Sequence, residues 1–130
     1  MRRKALIVED DPTTRVLLRR LVEAQSCDVD EAKDGAIAIE MLDHSDYAVV
    51  LLDIVLPKVS GTEVMDHLFR TNRAMLERII VVTGLNLDEV RKLFPTVCNA
   101  LPKPVMPQRL METVNKCLMR QTSDERLMQL

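Results

Sequence analysis

The run Ala48-Val49-Val50-Leu51-Leu52-Asp53 places five apolar residues in succession and stops on a carboxylate. It is too short for a core helix and too uniformly apolar for a strand with one wet face, so it predicts a strand buried on both faces. Other stretches read alike. Leu6-Ile7-Val8 stops at Glu9-Asp10-Asp11, and Ile79-Ile80-Val81-Val82 stops at Thr83-Gly84. Val29–Ala32 is a weaker strand candidate, and Asn99-Ala100-Leu101 a short one. Pro102 after Leu101 fits only an edge strand or a strand end, because proline cannot donate to a ladder.

The segments between these runs have helical spacing. Pro12 suits a first helical turn, with Asp11 as its N-cap, and Leu17, Leu18, Leu21 and Val22 share one face. Asp34-Gly35 is a turn signal, after which Ala38, Met41 and Leu42 mark a short helix. Pro57 and Gly61 punctuate a loop before a helix carrying Val64, Met65, Leu68 and Phe69. Leu87, Val90 and Phe94 share a face of a helix that Pro95 ends. Leu110, Val114, Cys117 and Leu118 line the last helix, with residues 123–130 as a tail, a helix extension or the start of a linker.

The order is β-α five times over, without repeats, linkers or low-complexity segments. Doubly apolar strands separated by helices imply an α/β fold with a doubly wound parallel sheet covered on both sides. Such sheets bind ligands beyond the carboxyl ends of their strands. The 130 residues fit one domain, residues 1–122 in this reading, and bury enough surface to need no staple.

Composition narrows the function. Twenty acidic and 18 basic residues give a formal charge of -2, which argues against a bulk electrostatic grip on nucleic acid or membrane. Residues 1–53 nevertheless carry a net -5 and residues 54–130 a net +3. Tyr47, Phe69 and Phe94 are the whole aromatic complement, too few for base-stacking platforms. The apolar stretch after Met1-Arg2-Arg3-Lys4 is four residues, shorter than a secretory signal, and no window is long enough to span a membrane. Cys27, Cys98 and Cys117 share no ligand spacing and read as three reduced thiols of a cytoplasmic protein. His44 and His67 have no ligand-spaced partner and read as surface residues.

The residues at the strand ends carry the chemistry. Glu9, Asp10 and Asp11 follow the first strand, Asp53 the third and Thr83 the fourth, with Lys103 just beyond the fifth. Taken singly, each reads as a cap, a loop residue or a solvated charge. Together at one rim they make a site. Four carboxylates there repel one another and call for a counter-charge. Hard oxygen ligands suit Mg²⁺, and a lysine with a hydroxyl suits a phosphoryl group. The pattern predicts Mg²⁺-dependent phosphoryl transfer with an aspartate as acceptor.

Leu6-Ile7-Val8-Glu9-Asp10-Asp11, Asp34-Gly35 with Ala38, Leu52-Asp53-Ile54-Val55-Leu56-Pro57 followed by Ser60-Gly61, Val82-Thr83-Gly84 and Lys103-Pro104 resemble, in order and spacing, the receiver domain of two-component response regulators. The resemblance covers about residues 3–122. It implies a flavodoxin-like, CheY-like three-layer fold, with a five-stranded parallel sheet of order 2-1-3-4-5. By position, Asp53 is implied as phosphoacceptor, Lys103 and Thr83 as partners of the phosphoryl oxygens, and Gly84 as a residue that leaves the site open. Asp10 and Asp53 are implied as direct ligands of Mg²⁺ or Mn²⁺, Glu9 as a ligand through water, and the Val55 backbone carbonyl as a further one. Asp11 keeps its capping role. A cis Lys103–Pro104 bond is implied as well.

The implied partners are a sensor histidine kinase or histidine phosphotransfer protein and a downstream protein or output domain, with no direct contact to nucleic acid or membrane and with room for a phosphorylation-linked homodimer. The implied setting is a bacterial cytoplasm, and the implied catalysis is limited to phosphoryl transfer onto the protein's own aspartate and hydrolysis from it. Two departures stand out. Ala100 occupies a position where the family usually has an aromatic switch residue, and the Thr83–Lys103 stretch is about two residues short relative to common members, which predicts a shorter fourth helix or shorter loops around it. An aspartate-nucleophile phosphatase of the haloacid-dehalogenase kind is disfavoured, because Val55 stands where its second aspartate belongs. A degenerate receiver acting as a scaffold is disfavoured by the complete set of site residues.

Overall fold

The computed structural model of the chain describes residues 2–128. In chain order they form β1 (Arg3–Val8), α1 (Pro12–Glu23), β2 (Cys27–Ala32), α2 (Gly35–His44), β3 (Val49–Leu52), α3 (Gly61–Thr71), a 3₁₀ segment (Arg73–Arg78), β4 (Ile79–Thr83), α4 (Leu87–Leu93), β5 (Asn99–Pro102) and α5 (Pro107–Met128). The five strands pair in parallel in the order β2-β1-β3-β4-β5. The parallel, doubly wound sheet is what the apolar runs predict, and this particular order is the one that the receiver-domain resemblance implies.

Alternation along the strands divides the core. Leu6, Val8, Val50, Leu52, Ile79 and Val81 face a cluster with Ala38, Leu42, Val64, Met65, Leu68 and Val90 from α2, α3 and α4. Ala5, Ile7, Val49, Leu51, Ile80 and Val82 face the other way, toward Leu18, Val22, Leu110, Val114 and Leu118 from α1 and α5. Both sheet faces are therefore covered by apolar helix faces, which is why the central strands carry uninterrupted apolar runs. β2 sits at an edge and has Asp28, Asp30 and Glu31 only partly covered or exposed, so its apolar signal is weak.

Helix starts follow the caps. Asp11, Asp34, Ser60 and Asn86 each accept a backbone N–H from three residues on, opening α1, α2, α3 and α4. The Asp34 turn signal thus serves as a helix cap. α4 has seven residues, in line with the first of the two places where the shortened segment could lose length.

Three expectations are corrected. Leu17 and Phe69 lie on the rim of their helices, 38% and 51% exposed, not in the core. Phe69 instead stacks under the Arg73 guanidinium at 4.1 Å. The 3₁₀ segment Arg73–Arg78 was not anticipated; it seats Met75 and Leu76 in the core. The cysteines are not three thiols. Cys98 and Cys117 form a disulfide, their Cα atoms 6.4 Å apart, and only Cys27 among the three is free. The two stand 19 positions apart in sequence. Only the packing of α5 against the β5 edge brings them together, so no local spacing announces the bridge.

Candidate functional site

The parallel ladder continues one residue past the strands and thereby assembles the site. Glu9 N–H donates to Ala32 O at 3.1 Å, Asp53 N–H to Val8 O at 3.1 Å, and Lys103 N–H to Thr83 O at 2.9 Å. Glu9, Asp53, Thr83 and Lys103, which end four different strands, are thus held at one rim by backbone bonds. Glu9, Asp53 and Thr83 are 1%, 6% and 0% exposed, whereas Asp10 is exposed.

Lys103 joins the acids. Its Nζ donates to Glu9 Oε1 at 2.9 Å, to Glu9 Oε2 at 2.8 Å and to Asp53 Oδ2 at 2.8 Å. An ammonium has three protons, and all three have a carboxylate acceptor here. The other Asp53 oxygen, Oδ1, accepts the Val55 N–H at 3.1 Å. Burial pushes the Glu9 carboxyl above its ordinary value, against the opposing pull of Lys103. Burial also works against the Lys103 ammonium, but its hydrogen bonds to Asp53 and Glu9 outweigh that and hold its pKa above the ordinary value. Lys103 is therefore a fixed positive charge at neutral pH.

Donor atoms of Glu9, Asp10 and Asp53 lie within 4.8 Å of one another. Three carboxylates against one ammonium leave an excess of two negative charges, which a divalent cation matches. All donors are hard oxygens, so the set fits Mg²⁺ or Mn²⁺ and is a poor set for a thiophilic metal.

Two glycines let the Asp53 loop pack. A Cβ on Gly61 would fall on the Asp53 carbonyl oxygen and lie 2.6 Å from Ile54 Cα; a Cβ on Gly35 would fall on the Val59 carbonyl. Lys58, in the same loop, takes a left-handed backbone (φ 64°) and reaches the buried Asp34 at 3.7 Å. At Gly84 a Cβ would meet nothing within 4 Å, so the space beside Thr83 is open. The Thr83 hydroxyl oxygen accepts the Leu85 N–H at 3.2 Å. The Lys103–Pro104 peptide is cis. Asp11 caps α1, accepting Thr14 N–H at 2.9 Å and Thr14 O–H at 2.6 Å. Ala100 is fully buried within the cluster beneath α4.

Of the sequence-selected residues, Glu9, Asp10, Asp53, Val55, Thr83, Gly84 and Lys103 come together at the rim, while Ala100 lies inside β5 and away from it. His44 and His67 join no metal-binding group among the described residues; His67 Nε2 meets Asp43 Oδ1 at 2.7 Å. One residue escaped the sequence reading. Arg15 donates to the carbonyl oxygens of Glu9 at 2.9 Å and Asp10 at 3.4 Å, so it braces the acidic loop from α1. Its signal was a cation in the first turns of a helix, where the dipole disfavours positive charge.

A doubly wound sheet with an acidic trio, a lysine and a hydroxyl at its carboxyl rim is the arrangement that the receiver-domain resemblance implies. The profile of the response regulator receiver domain matches residues 5–115, and the chain belongs to that family. It is 31% identical over 120 residues to a homologue of the transcriptional regulatory protein CpxR from Haemophilus influenzae, covering 92% of this chain and 52% of that one. It is 32% identical over 117 residues to Escherichia coli CpxR, covering 90% and 50%. The chain thus spans about half the length of the curated relatives it matches. Among solved structures it resembles the receiver domain of a LuxO repressor protein from Vibrio parahaemolyticus, with TM-score 0.87 and 25% identity over 98% of both chains. It also resembles the Thermotoga maritima response regulator TrrA, solved with Mg²⁺ and BeF, with TM-score 0.78 and 26% identity over 89% of this chain and 99% of that one. Among the described residues no helix is long and apolar enough to cross a membrane.

Proposed function

We propose that this receiver domain is a phosphorylation-controlled switch whose acceptor is Asp53. The observation that carries the reading is the pairing of Asp53 with Lys103 at 2.8 Å beside Glu9 and Asp10, on a rim that backbone bonds hold in place. A carboxylate oxygen of Asp53 attacks phosphorus, and the bond to the donor breaks: to a histidine nitrogen of a sensor kinase or phosphotransfer protein, or to the acyl oxygen of a small acyl phosphate. Lys103 balances charge on one transferring oxygen, and the Thr83 hydroxyl donates to another. Val55 N–H fixes the acceptor's orientation.

Asp10 and Asp53 would hold Mg²⁺ or Mn²⁺, with Glu9 through water and the Val55 carbonyl; when bound, the ion screens repulsion between the acceptor and the incoming phosphoryl oxygens. The phosphoryl group adds about -1.5 to -2 of charge beside Thr83. Drawing Thr83 inward gives up its bond with Leu85 N–H and repositions the loop before α4, which shifts the population of conformations at α4, β5 and α5. The protein acts on its own aspartate and turns over no external substrate. Output passes to a downstream protein or domain, as the transcriptional regulators among its relatives suggest.

The deciding experiment is incubation with acetyl phosphate and Mg²⁺, read by intact mass. Wild type gains one phosphoryl group and Asp53→Ala gains none. Phosphorylation of Asp53→Ala would refute the acceptor assignment. No gain by the wild type, with acetyl phosphate or with a panel of phosphorylated histidine kinases, would favour a scaffold.

A further inference from the structure

The Cys98–Cys117 bridge occupies a consequential place. Cys98 precedes β5 by one residue, and its N–H donates to Ile79 O at 2.8 Å, at the start of β4. At the other end of the same strand stands Lys103, tied to Thr83. One short strand therefore carries the disulfide at its entrance and the site lysine at its exit. Cys117 is buried in α5, in one cluster with Leu110, Val114 and Leu118. The bridge fixes α5 to β5, two of the three elements that phosphorylation is read to reshape.

The two sulfurs differ in access. Cys117 is 2% exposed, whereas Cys98 is only half-buried and has the Arg120 Nη1 at 3.9 Å from its sulfur. A neighbouring guanidinium favours a thiolate, so Cys98 is the reactive partner. Cys27 is buried and its thiol is pushed up by that burial, which sets it apart as inert.

We propose that Cys98 and Cys117 form a reversible redox site that controls how freely α5 moves against β5, a second input to the face that Asp53 addresses. The coupling half of this proposal rests on the phosphorylation reading above; the redox site itself does not. In oxidation by a peroxide, the Cys98 thiolate attacks one oxygen and the O–O bond breaks, leaving a sulfenic acid. The Cys117 thiol then attacks that sulfur and expels water. In sum two thiols and hydrogen peroxide become a disulfide and two waters. In reduction, a small or protein dithiol attacks the accessible Cys98 sulfur and releases Cys117; its second thiol then frees Cys98. The dithiol ends as a disulfide, and two protons end on the cysteines.

The test begins with the full chain reduced by dithiothreitol, treated with stoichiometric hydrogen peroxide, then denatured, alkylated and peptide-mapped. The expected product is a Cys98–Cys117 cross-link with Cys27 alone alkylated, and renewed dithiothreitol restores three alkylated cysteines. Bridges to Cys27, intermolecular dimers or unbridged oxidised cysteine would overturn the site. Amide exchange over residues 98–118 is then compared between the two states. The oxidised chain should exchange at least about tenfold more slowly there, and Cys98→Ser should show no peroxide response. Equal rates overturn the control of mobility. Beryllofluoride added to each state closes the test. A larger change over 99–118 in the reduced chain supports the coupling, and equal changes refute it. If Asp53 takes up neither beryllofluoride nor phosphate while the first two results hold, the phosphorylation reading and the coupling fall and the redox site stands.

Discussion

Both oxygens of Glu9 accept from the single ammonium of Lys103, at 2.9 and 2.8 Å, across 94 positions of sequence. Removing that ammonium leaves a nearly fully buried carboxylate facing Asp53 with the Asp11 N–H, 3.3 Å from Oε1, as its remaining donor. Lys103→Met should therefore cost about 2–3 kcal/mol in urea unfolding, the lower range for breaking a buried pair because Lys103 retains some solvent contact. It should also slow phosphoryl uptake from acetyl phosphate by about a hundredfold. The double variant with Glu9→Gln should recover much of the stability and little of the uptake. Recovery of both together would mean that Lys103 serves the fold alone.

Gly61 and Gly84 separate packing from chemistry. Gly61→Ala must displace the Asp53 and Ile54 backbone, which is not a flexible neighbour, and should cost about 1–3 kcal/mol. Gly84→Ala meets nothing and should change stability by less than about 0.5 kcal/mol. If a phosphoryl group occupies the open space beside Thr83, Gly84→Ala should still reduce phosphoryl uptake. Unaltered uptake by Gly84→Ala would place the phosphoryl group elsewhere.

Tyr47 gives a pH signature far from the site. Its ring is buried and its hydroxyl donates to Asp30 Oδ2 at 2.7 Å; burial first, and then Asp30, push the phenol from an ordinary 10.0 up to about 12. Below pH 10 both folded and unfolded chains keep the proton and the full contribution is present. As pH rises through the window to about 12, the unfolded chain ionises first and stability falls. The loss should approach about 2 kcal/mol. Tyr47→Phe should flatten this alkaline decline relative to wild type in urea unfolding at several pH values. Parallel declines would contradict the shift.

Val55 and Leu85 flank the site with apolar side chains that are 61% and 46% exposed. Neither can hydrogen-bond a water into line for attack on a phosphorylated Asp53. Self-dephosphorylation should be slow, and Val55→Asn should speed it. The check is decay of the phosphorylated mass after removal of acetyl phosphate; a lifetime of seconds in the wild type would sink the expectation.

Much of this was legible in sequence because the central strands are buried on both faces. Val49–Leu52 and Ile79–Val82 have no polar residue to disguise them, and the carboxylate, hydroxyl or lysine that follows each apolar run marks where the sheet meets solvent. What escaped was set by tertiary proximity. Cys98 meets Cys117 only because α5 packs beside the sheet edge. Arg15 reaches back to the Glu9 and Asp10 carbonyls by the turn of α1. Leu17 and Phe69 match a helical apolar stripe, yet they sit at its border, where the facing surface ends. A spacing rule locates a stripe without locating its edge.

Ala100 has the sharpest bearing on the switch. It is 0% exposed within β5, in the position where receiver domains usually carry an aromatic that turns as the threonine moves. A methyl group has no rotamer to change. If phosphorylation moves Thr83, the expected carriers are the backbone between Gly84 and Cys98 and repacking of residues such as Leu87, Val90 and Phe94, which belong to or pack on the same cluster. The short α4 favours this, since seven residues have few internal hydrogen bonds to resist displacement. Paired structures with and without beryllofluoride should show the 84–100 segment shifted as a unit, with β1 and β3 unchanged. Ala100→Tyr should perturb the apo packing beneath α4 more than it perturbs phosphoryl uptake. An unmoved 84–100 segment in the beryllofluoride complex would refute the backbone mechanism.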